Sequence, residues 1–114
     1  MGRRSAVKRW ELYRVCRPGG DSKQYRIFVV VSRQALIDSR FPSVVCAPVM
    51  TEGQGLATQL RIGIDEGMKH DSWIHCDDLR SLRKSELTRY IGTIAAGKIS
   101  KLDYALAVAL DLPY

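Results

Sequence analysis

Two residues in the first half of the chain have the type and setting for phosphate chemistry. Arg26 opens an apolar run over residues 27–31, and Thr51 closes another over residues 44–49. Both runs are rich in β-branched residues and short enough to be strands. Paired antiparallel through residues 32–42, they bring Arg26 and Thr51 to the same end of a sheet. A guanidinium at such a rim neutralises a phosphate through parallel N–H donors, and a hydroxyl beside it can donate or accept. The polar loop 17–24 runs into Arg26 and carries Asp21 and Lys23.

Other chemistries find less support. His70 and His75 would suit acid–base work, but nothing in their spacing brings them together, and His75 lies in an apolar run that favours a structural role. There is no G-x-S-x-G turn, no P-loop and no dinucleotide fingerprint. Asp77-Asp78 is a lone acidic pair, as well suited to solvating a turn or pairing with Arg80 as to holding a metal. Cys16, Cys46 and Cys76 each sit in an apolar or strand-like run. An odd number so placed predicts buried thiols in a reducing compartment, and without C-x-x-C spacing no metal or cofactor is expected.

The charge points to a polyanionic partner. Eighteen Lys and Arg against twelve acids give a net charge of +6, and phosphates supply a large electrostatic term to binding. Part of the excess is Arg3, Arg4, Lys8 and Arg9 near the N-terminus. The longest apolar run, residues 104–110, is far too short to span a bilayer. The basic N-terminus has no apolar stretch, and Ala6 misses the myristoylation pattern. A cytoplasmic protein without membrane contact is expected.

The elements that must position Arg26 and Thr51 follow from pattern. Residues 10–16 alternate as a first strand, and Pro18-Gly19-Gly20 breaks it. Residues 25–32 are apolar on both faces and predict a central strand. Ser32 is placed to cap a helical turn over 33–38. A third strand over 43–51 contains Pro48, which predicts an edge position or a bulge. Residues 58–64 alternate, with Leu60, Ile62 and Ile64 inward and Gln59 and Arg61 outward. Residues 72–76 are strand-like, with 79–82 continuing after the acidic pair. A helical turn over 84–87 precedes a last strand over 89–94. Ser100 and Asp103 form a capping pattern for a helix with a stripe of Leu102, Ala105, Leu106, Ala109 and Leu110, ended by Pro113. The expectation is one domain over residues 1–114, mainly β with a C-terminal α-helix, folded as a strongly bent small barrel.

Five segments in order carry a family resemblance. They are R-W-E-L-Y-R-V at residues 9–15, G-G-D-S-K-Q-Y-R-I-F-V-V-V-S at 19–32, V-V-C-A-P-V-M-T at 44–51, D-S-W-I-H-C-D-D-L-R-S-L at 71–82, and the closing helix. Together they resemble the MazF/PemK toxin endoribonucleases of type II toxin–antitoxin systems over nearly the whole chain. The resemblance implies an SH3-like β-barrel with a C-terminal helix, a homodimer, metal-independent cleavage of single-stranded RNA, and an acidic antitoxin as protein partner. It implies catalytic roles for Arg26, Thr51 and Asp21, and RNA contacts from Lys23, Gln24, Arg61, Asp78 and Arg80.

Three departures from the family pattern stand out. Ile27 replaces the proline after Arg26, Asp78 replaces a glutamine, and Met50 falls where the family has its threonine, leaving Thr51 one residue on. Along a strand such a slip points to the opposite face, unless a bulge near Pro48 restores the direction. An alternative is the CcdB-like gyrase poison, which shares the barrel without enzymatic activity. Y-R-I-F-V at residues 25–29 is similar to that family's R-Y-R-L-F-V, whereas the ending Leu112-Pro113-Tyr114 lacks its Trp-Gly-Ile.

Overall fold

The computed structural model describes residues 7–16 and 24–114. The strands are β1 (Glu11–Cys16), β2 (Tyr25–Val30), β3 (Ser43–Met50), β4 (Gln59–Ile62), β5 (Ser72–His75), β6 (Arg80–Arg83) and β7 (Arg89–Thr93). The helices are α1 (Gln34–Asp38) and α2 (Ile99–Ala109). Every pairing is antiparallel, in the order β4-β5-β3-β2-β1-β7, with β6 also on β3. The result is a curled half-barrel sheet with one C-terminal helix.

Both faces of the central strands are buried, which is why β2 reads as a continuous apolar run. On one face Leu12, Val29, Ala47, Ile62 and Ile74 pack with Leu102 and Ala105 of α2. On the other, Tyr13, Val15, Phe28, Val30, Val44 and Cys46 pack with Ile37 of α1 and Leu87. The helix stripe is core, as its spacing predicts, except that Leu110 lies past the helix end and is exposed.

Several local expectations are corrected. β3 is central and not an edge, and its pairing with β2 runs without a register shift from Val30↔Cys46 to Ile27↔Val49. Pro48 is tolerated there for a geometric reason. Val31 N–H donates to the Val45 carbonyl at 3.0 Å. The alternation of an antiparallel ladder then turns the backbone of Pro48 away from β2. On its other side, β6 pairs with β3 only to Cys46, and β5 begins at Val49. The missing donor therefore falls in the gap between two partners.

The two strand-like stretches either side of the acidic pair are separate strands, as the sequence divides them. The turn Cys76–Asp78 separates β5 from β6, and each pairs with a different part of β3. Ile64 turns outward, 82% exposed, because β4 stops at Ile62 and the chain enters the turn Ile64–Glu66. Ser32 does not cap α1; its Oγ accepts the Val45 N–H at 2.7 Å. Ser100 does not cap α2 either, since the turn Ala96–Lys98 feeds directly into the helix and leaves Ser100 inside it.

The half-barrel is drawn together at its ends by backbone packing, not by a further ladder. Gly92 on β7 lies so close to the turn Ile64–Glu66 that a Cβ there would meet the Glu66 carbonyl oxygen at 2.2 Å. Gly67 closes the turn with φ +87, a conformation that favours glycine. The Glu66 carboxylate, buried, accepts N–H bonds from Gly63 at 2.9 Å and Ala95 at 3.2 Å and pairs with Lys98 Nζ at 3.0 Å. Burial pushes the Glu66 pKa up, but the Gly63 amide, Lys98 and the Ala95 amide together outweigh it and hold the carboxyl below its ordinary value.

Candidate active site

The core face that carries α2 runs on past the helix at the Arg26 end of the sheet. There Ile27, Val49, Met68 and Ile91 form the apolar part of a cleft of about 620 Å³, and no residue of α2 lines it. Arg26 and Thr51 both line this cleft, as the antiparallel pairing of the two apolar runs predicts. Arg26 is exposed at the start of β2, opposite Val15 of β1. Its strand position places it on the face of Phe28, so it reaches the cleft as a rim residue. It also lines a depression of about 420 Å³ with Gln24, Phe28, Arg80 and Leu82 on that other face.

Thr51 reaches the cleft by a route that pattern did not supply. There is no bulge at Pro48. β3 ends at Met50, and Thr51 lies in the bend that follows, where the alternation of a strand no longer fixes its direction. Met50 and Thr51 line the cleft together.

The remaining sequence-predicted residues divide. Asp21 and Lys23 lie outside the described residues. Gln24 and Arg80 share the second depression with Arg26, and Arg80 pairs with Asp78 at 3.1 Å, as the spacing of the acidic pair allows. Arg61 is not at this site: it pairs with Asp71 and lines a separate depression beside Lys98. The Arg61 hydrogen bond and charge hold the Asp71 carboxyl below its usual range.

Arg14 and Lys69, not singled out from sequence, also line the cleft, and so does His70, one of the two histidines suited by type to acid–base work. The signal for Arg14 was available, since period-two alternation along β1 puts it on the face of Leu12, a cation on an apolar face. Lys69 and His70 stand in a polar loop whose path no local pattern sets. Among the described residues lining the cleft there is no Asp or Glu.

The two histidines are kept apart, as expected. His75 Nε2 lies 2.8 Å from the Glu52 carbonyl, which can only accept, so this nitrogen carries the proton. Cys46 and Cys76 are free and buried, and burial pushes each thiol up to about 12. Among the described residues no three His, Cys, Asp or Glu side chains gather as metal ligands, and no helix is long and apolar enough to cross a membrane.

Residues 8–110 match the family described as PemK-like, MazF-like toxin of type II toxin-antitoxin system. The chain is 27% identical over 86 residues to "Endoribonuclease MazF3" of Mycobacterium tuberculosis, covering 75% of this chain and 84% of that protein. It is 27% identical over 110 residues to "Endoribonuclease MazF1" of Mycobacterium bovis, covering 96% and 98%. A solved structure described as "Endoribonuclease in complex with its cognate antitoxin from Mycobacterial species" superposes with a TM-score of 0.80 at 25% identity, covering 96% of this chain and 99% of that one. These comparisons lend nothing to the gyrase-poison alternative.

Proposed function

Since this chain belongs to the PemK-like, MazF-like toxins of type II toxin–antitoxin systems, we propose that it is an endoribonuclease that cuts single-stranded RNA at the cleft between Arg26 and Thr51. An acidic antitoxin that covers the basic cleft restrains it, by analogy with the mycobacterial relative solved with its cognate antitoxin. Its place of action is the cytoplasm, with the messenger RNA.

One observation carries the reading. A guanidinium and a hydroxyl that are far apart in sequence line one cleft, with Arg14 and Lys69 as further cations and no carboxylate among its described lining residues. Such a cleft suits a phosphodiester. The attacking group is the substrate's own 2′-hydroxyl. It loses its proton and bonds to the adjacent phosphorus, while the 5′-oxygen leaves and takes up a proton. The products are a 2′,3′-cyclic phosphate and a 5′-hydroxyl. Arg26 neutralises the charge that grows on the non-bridging oxygens. It stays protonated and is no base. Thr51 donates to an oxygen of the same phosphate. His70 is the one imidazole among the described lining residues, and an imidazole is the side chain suited by type to proton transfer near neutral pH.

Purified protein incubated with a defined single-stranded RNA in excess EDTA tests this. Cleavage with cyclic phosphate ends is expected, and folded Arg26→Ala should lose on the order of a hundredfold or more in rate. Activity that vanishes in EDTA and returns with magnesium overturns the metal-free mechanism. Full activity in folded Arg26→Ala overturns the assignment of that residue.

A further inference from the structure

Arg14 is held in a way that its own packing does not explain. It stands opposite Ile27 on β2 and opposite Arg89 on β7. Its guanidinium carbon lies 4.3 Å from the centroid of the Tyr25 ring, a diagonal neighbour across the β1–β2 pair. Its Nε is buried and has no hydrogen-bond partner among the described residues. A buried donor left unpaired costs stability, and a like charge directly across a ladder adds repulsion. No Asp or Glu among the described lining residues of the cleft answers Arg14. A native structure keeps such a group where something else requires it, and Arg14 lines the same cleft as Arg26 and Thr51.

We propose that Arg14 is a second phosphate-binding residue of the cleft, taking the phosphodiester next to the one at Arg26, with Tyr25 holding its guanidinium by the face so that an N–H edge turns to the RNA backbone. This rests on the ribonuclease reading and deepens it. Arg14 and Arg26 stand opposite Ile27 and Val15, so they leave opposite faces of the sheet and meet the RNA strand from two sides. The guanidinium fork would take a carboxylate of a protein partner as well as a phosphate. A phosphate is favoured because Arg14 shares the cleft with the cation and hydroxyl assigned to the reaction.

The test is fluorescence anisotropy with a short single-stranded RNA that the wild type cuts, made uncleavable with 2′-O-methyl riboses and titrated over a range of salt. Arg14→Met should bind about tenfold more weakly, and the slope of log K against log salt should shrink by about 0.7. Arg14→Lys should restore the slope but not the full affinity, because an ammonium lacks the planar fork. On cleavable RNA the loss in Arg14→Met should fall on KM more than on kcat. An uncharged methylphosphonate at the linkage beside the scissile one should weaken the wild type by the same factor and Arg14→Met no further.

Wild-type affinity and slope in Arg14→Met overturn the proposal. So does a loss confined to an acidic antitoxin peptide, which would assign Arg14 to the protein partner. If Arg14→Met does not fold, Arg14→Lys decides, and an undiminished wild-type response to the methylphosphonate in that variant overturns the proposal. A wild type that neither binds nor cuts RNA overturns the ribonuclease reading with it. Wild-type cleavage beside an unaffected Arg14→Met overturns this inference alone.

Discussion

Replacing Glu66 by glutamine should loosen the turn that closes the half-barrel, and in a way that depends on pH. The carboxylate is fully buried, accepts two backbone N–H groups, and pairs with Lys98, whose side chain is 29% exposed. Breaking a buried pair by removing one charge costs roughly 3–5 kcal/mol. Lys98 can rehydrate through its exposed part, which puts the cost at the low end. Glutamine also keeps the shape and one acceptor, worth about 1 kcal/mol. The net expectation is a loss of about 2 kcal/mol at neutral pH, or a fall in Tm of roughly 6–12 °C for a chain of this size.

The sign of the pH dependence follows from the direction of the shift. Glu66 is held below its ordinary value of 4.5 in the folded state. Its contribution is therefore fully present above the unfolded value and is lost as pH falls through the folded one. Glutamine does not titrate, so the gap between wild type and Glu66→Gln should close across that acid window. Urea melts of both proteins at neutral pH and at steps below 4.5 measure it. A gap that persists undiminished in acid, or is absent at neutral pH, would refute the assignment of Glu66 as a charged clamp.

Other outcomes follow from the same structure. Thr51→Ala should lower the cleavage rate by about tenfold, the worth of one hydrogen bond, and by less than Arg26→Ala; equal losses in single-turnover assays would mean that Thr51 is held as firmly as a strand residue. Cys46 and Cys76, pushed up to about 12 by burial, should resist alkylation by iodoacetamide at mildly alkaline pH in the native protein and react in urea, which mass spectrometry of digests would reveal. Light scattering should give the mass of a symmetric dimer at tens of micromolar, an order-of-magnitude choice for a moderate interface, and a monomer mass there would count against that assembly.

How much of this was legible in sequence differs from residue to residue. The two apolar runs carry their own strand signal, and an antiparallel connection of about ten residues leaves their outer ends side by side. That reasoning alone placed Arg26 and Thr51 at one rim. The stripe of α2 predicted its core contacts because a helix fixes which side chains share a face. Alternation likewise fixed the faces of β1, and with them the side on which Arg14 stands.

Tertiary structure decided what local pattern has no access to. Pro48 predicts an edge strand, yet it sits in a central one because β5 and β6 meet β3 on either side of it and leave a gap for its missing donor. Arg61 and Arg14 are both cations within strands. One pairs with Asp71 in a separate depression, and the other, half-buried, lines the cleft with Arg26 and Thr51, according to which strands end beside them. Lys69 and His70 reach the cleft because Glu66 and Gly67 pin the preceding turn against β7. Period sets the face on which a side chain stands, and only the partners of its strand set what that face meets.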